Sequence, residues 1–250
     1  MGKVLGRHDL HTHTLYSDGQ NTISDNIRAA VSNGLDTVAI TDHCFDSDDA
    51  EWLPSLVAEI KDIKAPINIL AGVEGTILDT RGTLSVDEAI AGKLDIVLVD
   101  LGKLTQGVYT NAPCDPGKLC RNIADAYIYA CGNPLVNIIA HPFNVGRLQA
   151  NICIDDFPDN LLMQVADAFV AGGKAFEIMN MMSWWFPSMP VKELTRSYLR
   201  VVRIFAERGV IFALGSDAHS ACGVGNLGWA NQIVEKVNLH NQLIERITYK

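Results

Sequence analysis

Thr37-Val38-Ala39-Ile40-Thr41-Asp42-His43 is a short strand-forming run that stops in an aspartate and a histidine, and the pattern recurs along the chain. Similar apolar runs stand at Val4–Leu10, Ile67–Val73, Asp95–Val99, Val136–Ala140, Ala175–Ile178 and Ile211–Leu214. Helical patterns separate them, near Ser24–Asn33, Ala50–Ile63, Val86–Ala91, Lys118–Cys131, Leu161–Ala171 and Val191–Arg208. Gly34, Gly132, Gly172 and Gly209 each follow a helical run, where a left-handed C′ residue costs least as glycine. Ser85 and Glu88 have the spacing of a capping box. Strict alternation of strand and helix implies a mainly parallel sheet, and about seven such units point to an α/β, TIM-like barrel. An open doubly wound sheet is the structural rival, but no G-x-G-x-x-G follows the first strand. No low-complexity segment, charge block or linker interrupts the sequence, so residues 1–250 read as one domain.

Composition narrows the function. Hydrophobic residues make up 48% of the chain and charged ones 20%, enough for a buried core and against disorder. Twenty basic residues against 29 acidic give a net charge of −9, which argues against an extended nucleic-acid surface. An anionic substrate stays compatible, because bound divalent cations reverse the local field. No apolar run approaches a membrane span and the first residues lack a secretory core, so the expectation is a cytoplasmic protein without membrane association. The six cysteines form no C-x-x-C pair and read as reduced, mostly buried small residues. Nothing in the sequence selects an oligomeric state.

The strand ends carry the chemistry. The first run ends in Asp9-Leu10-His11-Thr12-His13, the second in Asp42-His43, the third in Glu74 and the fourth in Asp100. The later ones end in His141-Pro142, Asn180 and Ser216-Asp217-Ala218-His219. In a βα barrel these ends converge on one face. Five of seven histidines, His11, His13, His43, His141 and His219, are thereby aimed at one pocket. Residues two apart on an extended strand share a face, which would put Asp9, His11 and His13 together and pair Asp217 with His219. Imidazole with carboxylate suits zinc, manganese or iron rather than calcium. One structural zinc needs four ligands. Adding Glu74, Asp217 and Asp18 to five histidines implies two or three divalent transition metals. Asp9 and Asp42 could instead orient ligand histidines. His8, on the opposite face, and His240, in a C-terminal helix, receive no role.

Asp9-Leu10-His11-Thr12-His13-Thr14, Ser17-Asp18-Gly19, Ile40-Thr41-Asp42-His43, Gly72-Val73-Glu74, Ile139-Ala140-His141-Pro142 and Gly215-Ser216-Asp217-Ala218-His219 resemble, in order, the motifs of the PHP (polymerase and histidinol phosphatase) family. The resemblance spans nearly the whole chain and is strongest to the stand-alone bacterial members. It implies a distorted (β/α)7 barrel, a metal-dependent phosphatase activity, and a metal set of His11, His13, Asp18, His43, Glu74, His141, Asp217 and His219. Glu177 and Asn180 also resemble the family's strand-six segment. One departure stands out. Where many members carry a metal-binding histidine after the fourth strand, this chain has Gly102, with Asp100 two positions before it.

The expected reaction is hydrolysis of a small phosphomonoester, a metabolite or a nucleotide, by a metal-bridged hydroxide. Phosphate-ester hydrolysis needs accelerations of up to about 10²¹-fold. A general acid or base supplies roughly 10²–10⁴ of that, so metals must carry most of it. Glu74 as bridging carboxylate, Asp217, and Arg147 as phosphate clamp are the candidate catalytic residues; Lys103 and Arg81 are weaker clamps. Trp184, Trp185 and Phe186 could stack on a substrate ring or pack in a loop. Two other readings remain: a metallo-hydrolase of a non-phosphate bond, and a metal-binding module whose catalysis is weakened by the missing fourth-strand histidine.

Overall fold

The computed structural model describes residues 4–149 and 152–247. Among the described residues eight strands form: β1 (His8–Asp9), β2 (Thr37–Ile40), β3 (His43–Cys44), β4 (Asn68–Thr76), β5 (Ile96–Asp100), β6 (Ile138–Ile139), β7 (Ala175–Met179) and β8 (Ile211–Gly215). Seven of them make one parallel path, β1-β2-β4-β5-β6-β7-β8, while β3 pairs only with β4, extending the rim beyond β2. Closure from β8 to β1 is made by single bonds rather than a ladder. Leu10 N donates to Leu214 O at 2.9 Å, Asp217 N to His11 O at 2.9 Å and His13 N to Ala218 O at 2.9 Å. The result is a nearly closed seven-stranded barrel, as the alternation implied.

Side chains alternate across this wall. Ala39, Leu70, Ile96, Leu98, Ile138, Ala140, Ala175 and Ala213 form an inner apolar cluster, and Ile244 and Ile247 from the C-terminal segment join it. Their outward neighbours, among them Val38, Ile40, Val97, Val99, Phe176 and Phe212, pack under the helices in the larger core. Continuing the inward parity leads from Leu70 to Glu74 and from Ala175 to Glu177. The interior therefore changes from apolar to ionisable along the strands. Small residues make room there. A Cβ on Gly215 would lie 2.7 Å from His11 Cβ and against the Glu177 carboxylate.

The helices are α1 (Ile23–Ser32), α2 (Leu53–Asp62), α3 (Glu88–Ala91), α4 (Pro116–Cys131), α5 (Asp159–Gly172), α6 (Val191–Glu207) and α7 (Gly228–Val237). Several local expectations need correction. The cap of α3 is Asp87, which accepts from Ile90 N at 2.8 Å. Ser85 is spent elsewhere, accepting Thr76 N and donating to Cys44 O. Gly34 and Gly209 do take left-handed φ, +67° and +85°. Gly132 does not, with φ −72°. Gly172 ends α5, pressed against the Cys131 carbonyl, and Gly173 makes the left-handed turn. Among the cysteines, Cys44, Cys120 and Cys131 are buried, whereas Cys114 and Cys222 are exposed; none of the six is in a disulfide. No helix among the described residues is long and apolar enough to cross a membrane.

Candidate metal centre

The strand-end residues meet at one rim. Three overlapping groups of ligand atoms form there: His13, Asp18, His43 and His219; His11, His13 and Asp217; and His11, Glu74 and His141. Glu74 is the hub. Its Oε1 lies 2.9 Å from His141 Nε2, and its Oε2 lies 3.2 Å from His11 Nε2, 3.5 Å from His13 Nε2 and 3.0 Å from His43 Nδ1. Asp217 Oδ1 lies 3.2 Å from His13 Nε2 and 3.6 Å from His11 Nε2. Asp18 Oδ1 approaches His43 at 3.5 Å and His219 at 3.3 Å.

A divalent cation fits this set on the evidence of its unsatisfied atoms. His11 Nε2, both ring nitrogens of His13, His43 Nδ1 and Glu74 Oε2 are buried without a hydrogen-bond partner. Buried polar atoms are normally paired, and leaving one unpaired costs about 1–3 kcal/mol. Five such atoms in one cluster mark donors that cations would satisfy.

Charge tells the same story. Burial would raise the Glu74 carboxyl, but the imidazoles of His11 and His43 hold it well below the usual carboxylate range. Burial likewise opposes the ionised form of Asp217, yet His11 and His13 bring it down to about 2. Burial would lower His43 and His141, but Glu74 outweighs it and lifts them to about 10 and about 9. His13 goes the other way, lowered by burial and by its cationic neighbours His11 and His43. Protons and metal ions therefore compete for the same nitrogens.

Groups behind the ligands fix their orientation. Glu177 Oε1 accepts from His11 Nδ1 at 2.8 Å, which turns Nε2 toward Glu74 and Asp217 as the nitrogen a metal would take. Its other oxygen accepts the backbone N–H of His141 at 2.6 Å. The Asn144 amide lies 3.0 Å from His141 Nδ1. His219 Nδ1 donates to the Asp217 carbonyl at 3.0 Å. His141 and Asp217 have positive φ, +29° and +54°. Left-handed backbone at non-glycine residues costs roughly 1–3 kcal/mol each and clusters at functional sites. Here the Glu177 contact to His141 and the bond from Asp217 N to His11 O hold the two turns in place.

The structure thus brings His11, His13, Asp18, His43, Glu74, His141, Asp217 and His219 together, but not by the parity expected. Leu10, between Asp9 and His11, belongs to the inner apolar cluster, and regular strand geometry ends at Asp9. Asp9 accepts the backbone N–H groups of Ser216 and Gly225, both at 2.8 Å. Asp42 accepts Thr14 N at 2.8 Å, the Thr14 hydroxyl at 2.7 Å and the Ser17 hydroxyl at 2.6 Å. Both brace loops rather than orient imidazole rings.

Other residues fall outside the cluster. Arg147 donates Nε and Nη2 to the Trp184 carbonyl, at 3.0 and 2.8 Å, and lies 3.8 Å over the Trp184 ring. Lys103 is exposed, and Arg81 pairs with Asp79 at 3.1 Å. Asn180 caps α7 by accepting Trp229 N at 2.8 Å. Asp100 accepts the Thr76 hydroxyl at 2.6 Å and joins none of the three groups. Burial and then the charge of Glu74 push its carboxyl up to about 6. Its oxygens stand 3.1 and 3.3 Å from where a Gly102 Cβ would be, so the carboxylate fills space that a side chain at 102 would need. His240 lies after α7 rather than in a helix, 3.4 Å from Glu235. His8 is buried, with Nδ1 at 3.0 Å from Gly6 O and Nε2 accepting Leu214 N at 3.2 Å. Asn144 had no sequence signal; it falls three residues after His141 in an irregular turn.

Comparison with known proteins agrees with this geometry. A family model described as the PHP domain matches residues 9–180. A probable phosphatase of Thermoanaerobacter sp. (strain X514) is 30% identical over 239 residues, covering 94% of this chain and 88% of its own. One from Caldanaerobacter subterraneus subsp. tengcongensis is 31% identical over 245 residues, covering 94% and 85%. In fold, the chain is similar to histidinol phosphate phosphatase of Lactococcus lactis subsp. lactis, solved with zinc, L-histidinol and phosphate. The TM-score is 0.66 at 18% identity, over 98% of this chain and 97% of the other.

Proposed function

The chain belongs to the PHP domain family, and from that premise we propose that it hydrolyses a small phosphomonoester, a metabolite or a nucleotide, with two or three divalent transition ions held by the strand-end cluster. Its relatives are named phosphatases over almost their whole length, and the chain is accordingly a metal-dependent phosphoesterase. The observation that carries the finer reading is the set of five buried, unpartnered ligand atoms around Glu74.

His13, Asp18, His43 and His219 would hold one cation and His11, Glu74 and His141 another; Asp217 would add an oxygen beside whichever of His11 and His13 it shares, because a neutral imidazole gives one lone pair to one cation. Zinc, manganese and iron suit these nitrogen and oxygen donors. When bound, such ions neutralise phosphoryl charge and lower the pKa of water toward neutrality. The chain's own part is to keep the donors in place. Glu74 lies within 3.5 Å of ring nitrogens of His11, His13, His43 and His141, and its charge would reduce the repulsion between cations held there. Glu177 keeps the proton of His11 on Nδ1, away from the ligand face. Arg147 would need to leave the Trp184 carbonyl to clamp a phosphate, an exchange of one set of hydrogen bonds for another. Residues 1–250 would act as one domain.

A phosphomonoester panel, run beside elemental analysis of the same preparation, tests the reading. The expected result is more than one equivalent of transition metal and hydrolysis of at least one phosphomonoester, abolished by chelator and restored by zinc, manganese or iron. Metal-loaded protein that leaves every ester intact would overturn the phosphatase assignment. Absence of metal uptake would overturn the ligand set.

A further inference from the structure

The cluster is buried on one side and open on the other. The side chains of Asp18, His219 and His43 are 57%, 38% and 19% exposed, while His11, His13, Glu74 and His141 are buried. Solvent reaches the cluster over the first three. Two exposed apolar side chains belong to the segments that carry these residues. Phe45 is 49% exposed and stacks on His43, with ring centroids 4.6 Å apart and planes 23° from parallel. Leu15, on the loop between His13 and Asp18, is 62% exposed. Scattered exposed apolar residues are ordinary. A phenyl ring with one face on a candidate metal ligand and the rest in solvent at the open side is a more specific arrangement.

The tryptophans do not compete for this role. A row of rings runs from Phe45 through His43, His13, His11 and His141 to Trp185, in successive steps of 4.6, 4.3, 5.0, 5.6 and 5.2 Å. Trp185 therefore stands beside the buried end. The ring of Trp184 already carries the Arg147 guanidinium. Phe45 offers a half-exposed aromatic ring at the open end.

Resting on the phosphomonoesterase reading above, we propose that Phe45 is a stacking platform for a planar ring in the alcohol half of the substrate. The substrate class is then phosphomonoesters of ring-bearing alcohols, such as nucleoside 5′-monophosphates, rather than bare sugar phosphates. With the phosphoryl group over Asp18, His43 and His219, the alcohol half passes Phe45. Stacking of bases on aromatic side chains is tolerant of base identity because each base has a π-face, so no particular base is implied.

The test compares adenosine 5′-monophosphate with ribose 5-phosphate, which share the phosphorylated primary alcohol and differ in the base. Metal-loaded wild-type protein should favour the nucleotide by at least about tenfold in kcat/KM, equivalent to about 1.4 kcal/mol. Phe45→Ala should reduce this ratio to within about twofold of unity, and Phe45→Trp should keep it. The ratio is read rather than either rate, because a disturbed His43 would lower both substrates together. A wild-type ratio near one, or a ratio untouched by Phe45→Ala, overturns the platform while leaving the phosphatase reading intact. Failure to hydrolyse any phosphomonoester overturns both.

Discussion

The two halves of the metal cluster are built differently. The buried half, His11, Glu74 and His141, comes from or directly after strand ends and is backed by Glu177 and Asn144. The open half has Asp18 and His219 on loops and His43 on the two-residue β3 at the rim, and the Asp18 loop is tied down through Asp42 contacts to Thr14 and Ser17. Rigid backing fixes ring tautomers and rotamers before a cation arrives, whereas loop ligands leave room for substrate to approach. The buried half should therefore govern metal retention, and the open half should tune access and turnover.

The sharpest way to break this contrast is at Glu74. Glu74→Gln keeps size but removes the charge that faces His11, His43 and His141. Cations in neighbouring groups would then repel without a shared carboxylate between them. We expect loss of at least one equivalent of metal and a fall in kcat/KM well beyond the roughly 10–100-fold typical of outer-shell losses. Arg147→Ala should cost far less, since a charge-assisted hydrogen bond is worth about 1.5–3 kcal/mol at most. Elemental analysis and kcat/KM for both variants decide it. Full metal retention in Glu74→Gln beside an inactive Arg147→Ala would invert the picture.

The sequence exposed this half of the story well and the other less so. Strand ends bearing His11, His43, Glu74, His141 and Asp217 were legible because alternation of strands and helices sends every strand end to one face. How those residues reach each other was not. Asp9 and His11 are two apart, but the chain leaves strand geometry between them, and Asp217 turns through a left-handed backbone. Such irregularity is set by tertiary bonds, here to Ser216 and Gly225 from Asp9 and to His11 O from Asp217. No periodic pattern encodes it. Asp100 shows the same limit: its carboxylate packs beside Gly102 in place of a side chain there, a fact of space rather than of spacing.

Glu177 sharpens the comparison at an intermediate size of effect. Glu177→Gln retains an oxygen for His11 but loses the charge that strengthens its Nδ1–H bond, and it weakens the hold on His141 N. Metal affinity measured by competition with a chromogenic chelator should fall about 10–100-fold. Glu177→Asp is expected to recover little, because the shorter side chain cannot span both partners. An equivalent loss from Asp18→Asn, at the open half, would show that backing does not separate the two regions.

The smallest effect concerns stability rather than metal, at the far end of β1. His8 is buried, and burial lowers its pKa below the ordinary 6.5, with the Gly6 carbonyl opposing. In its neutral form Nδ1–H donates to Gly6 O and Nε2 accepts Leu214 N, one of the few bonds closing β1 onto β8. The sign follows from linkage. The unfolded chain binds the proton more readily than the folded one, so the contribution is complete above about pH 6.5 and is lost as pH falls below it. His8→Gln keeps an acceptor in reach of Leu214 and cannot be protonated, so its stability should decline less between pH 6.5 and 5 than that of the wild type. At pH 8 the variant should be the less stable of the two by about 1 kcal/mol, the worth of an imperfect buried hydrogen bond. Urea melts of chelator-treated protein at both pH values, which keep the metal ligands out of the difference, measure this directly. Parallel acid profiles for wild type and variant would mean that His8 takes up its proton in the folded barrel as easily as in the open chain, and that the β1–β8 seam is wetter than its burial implies.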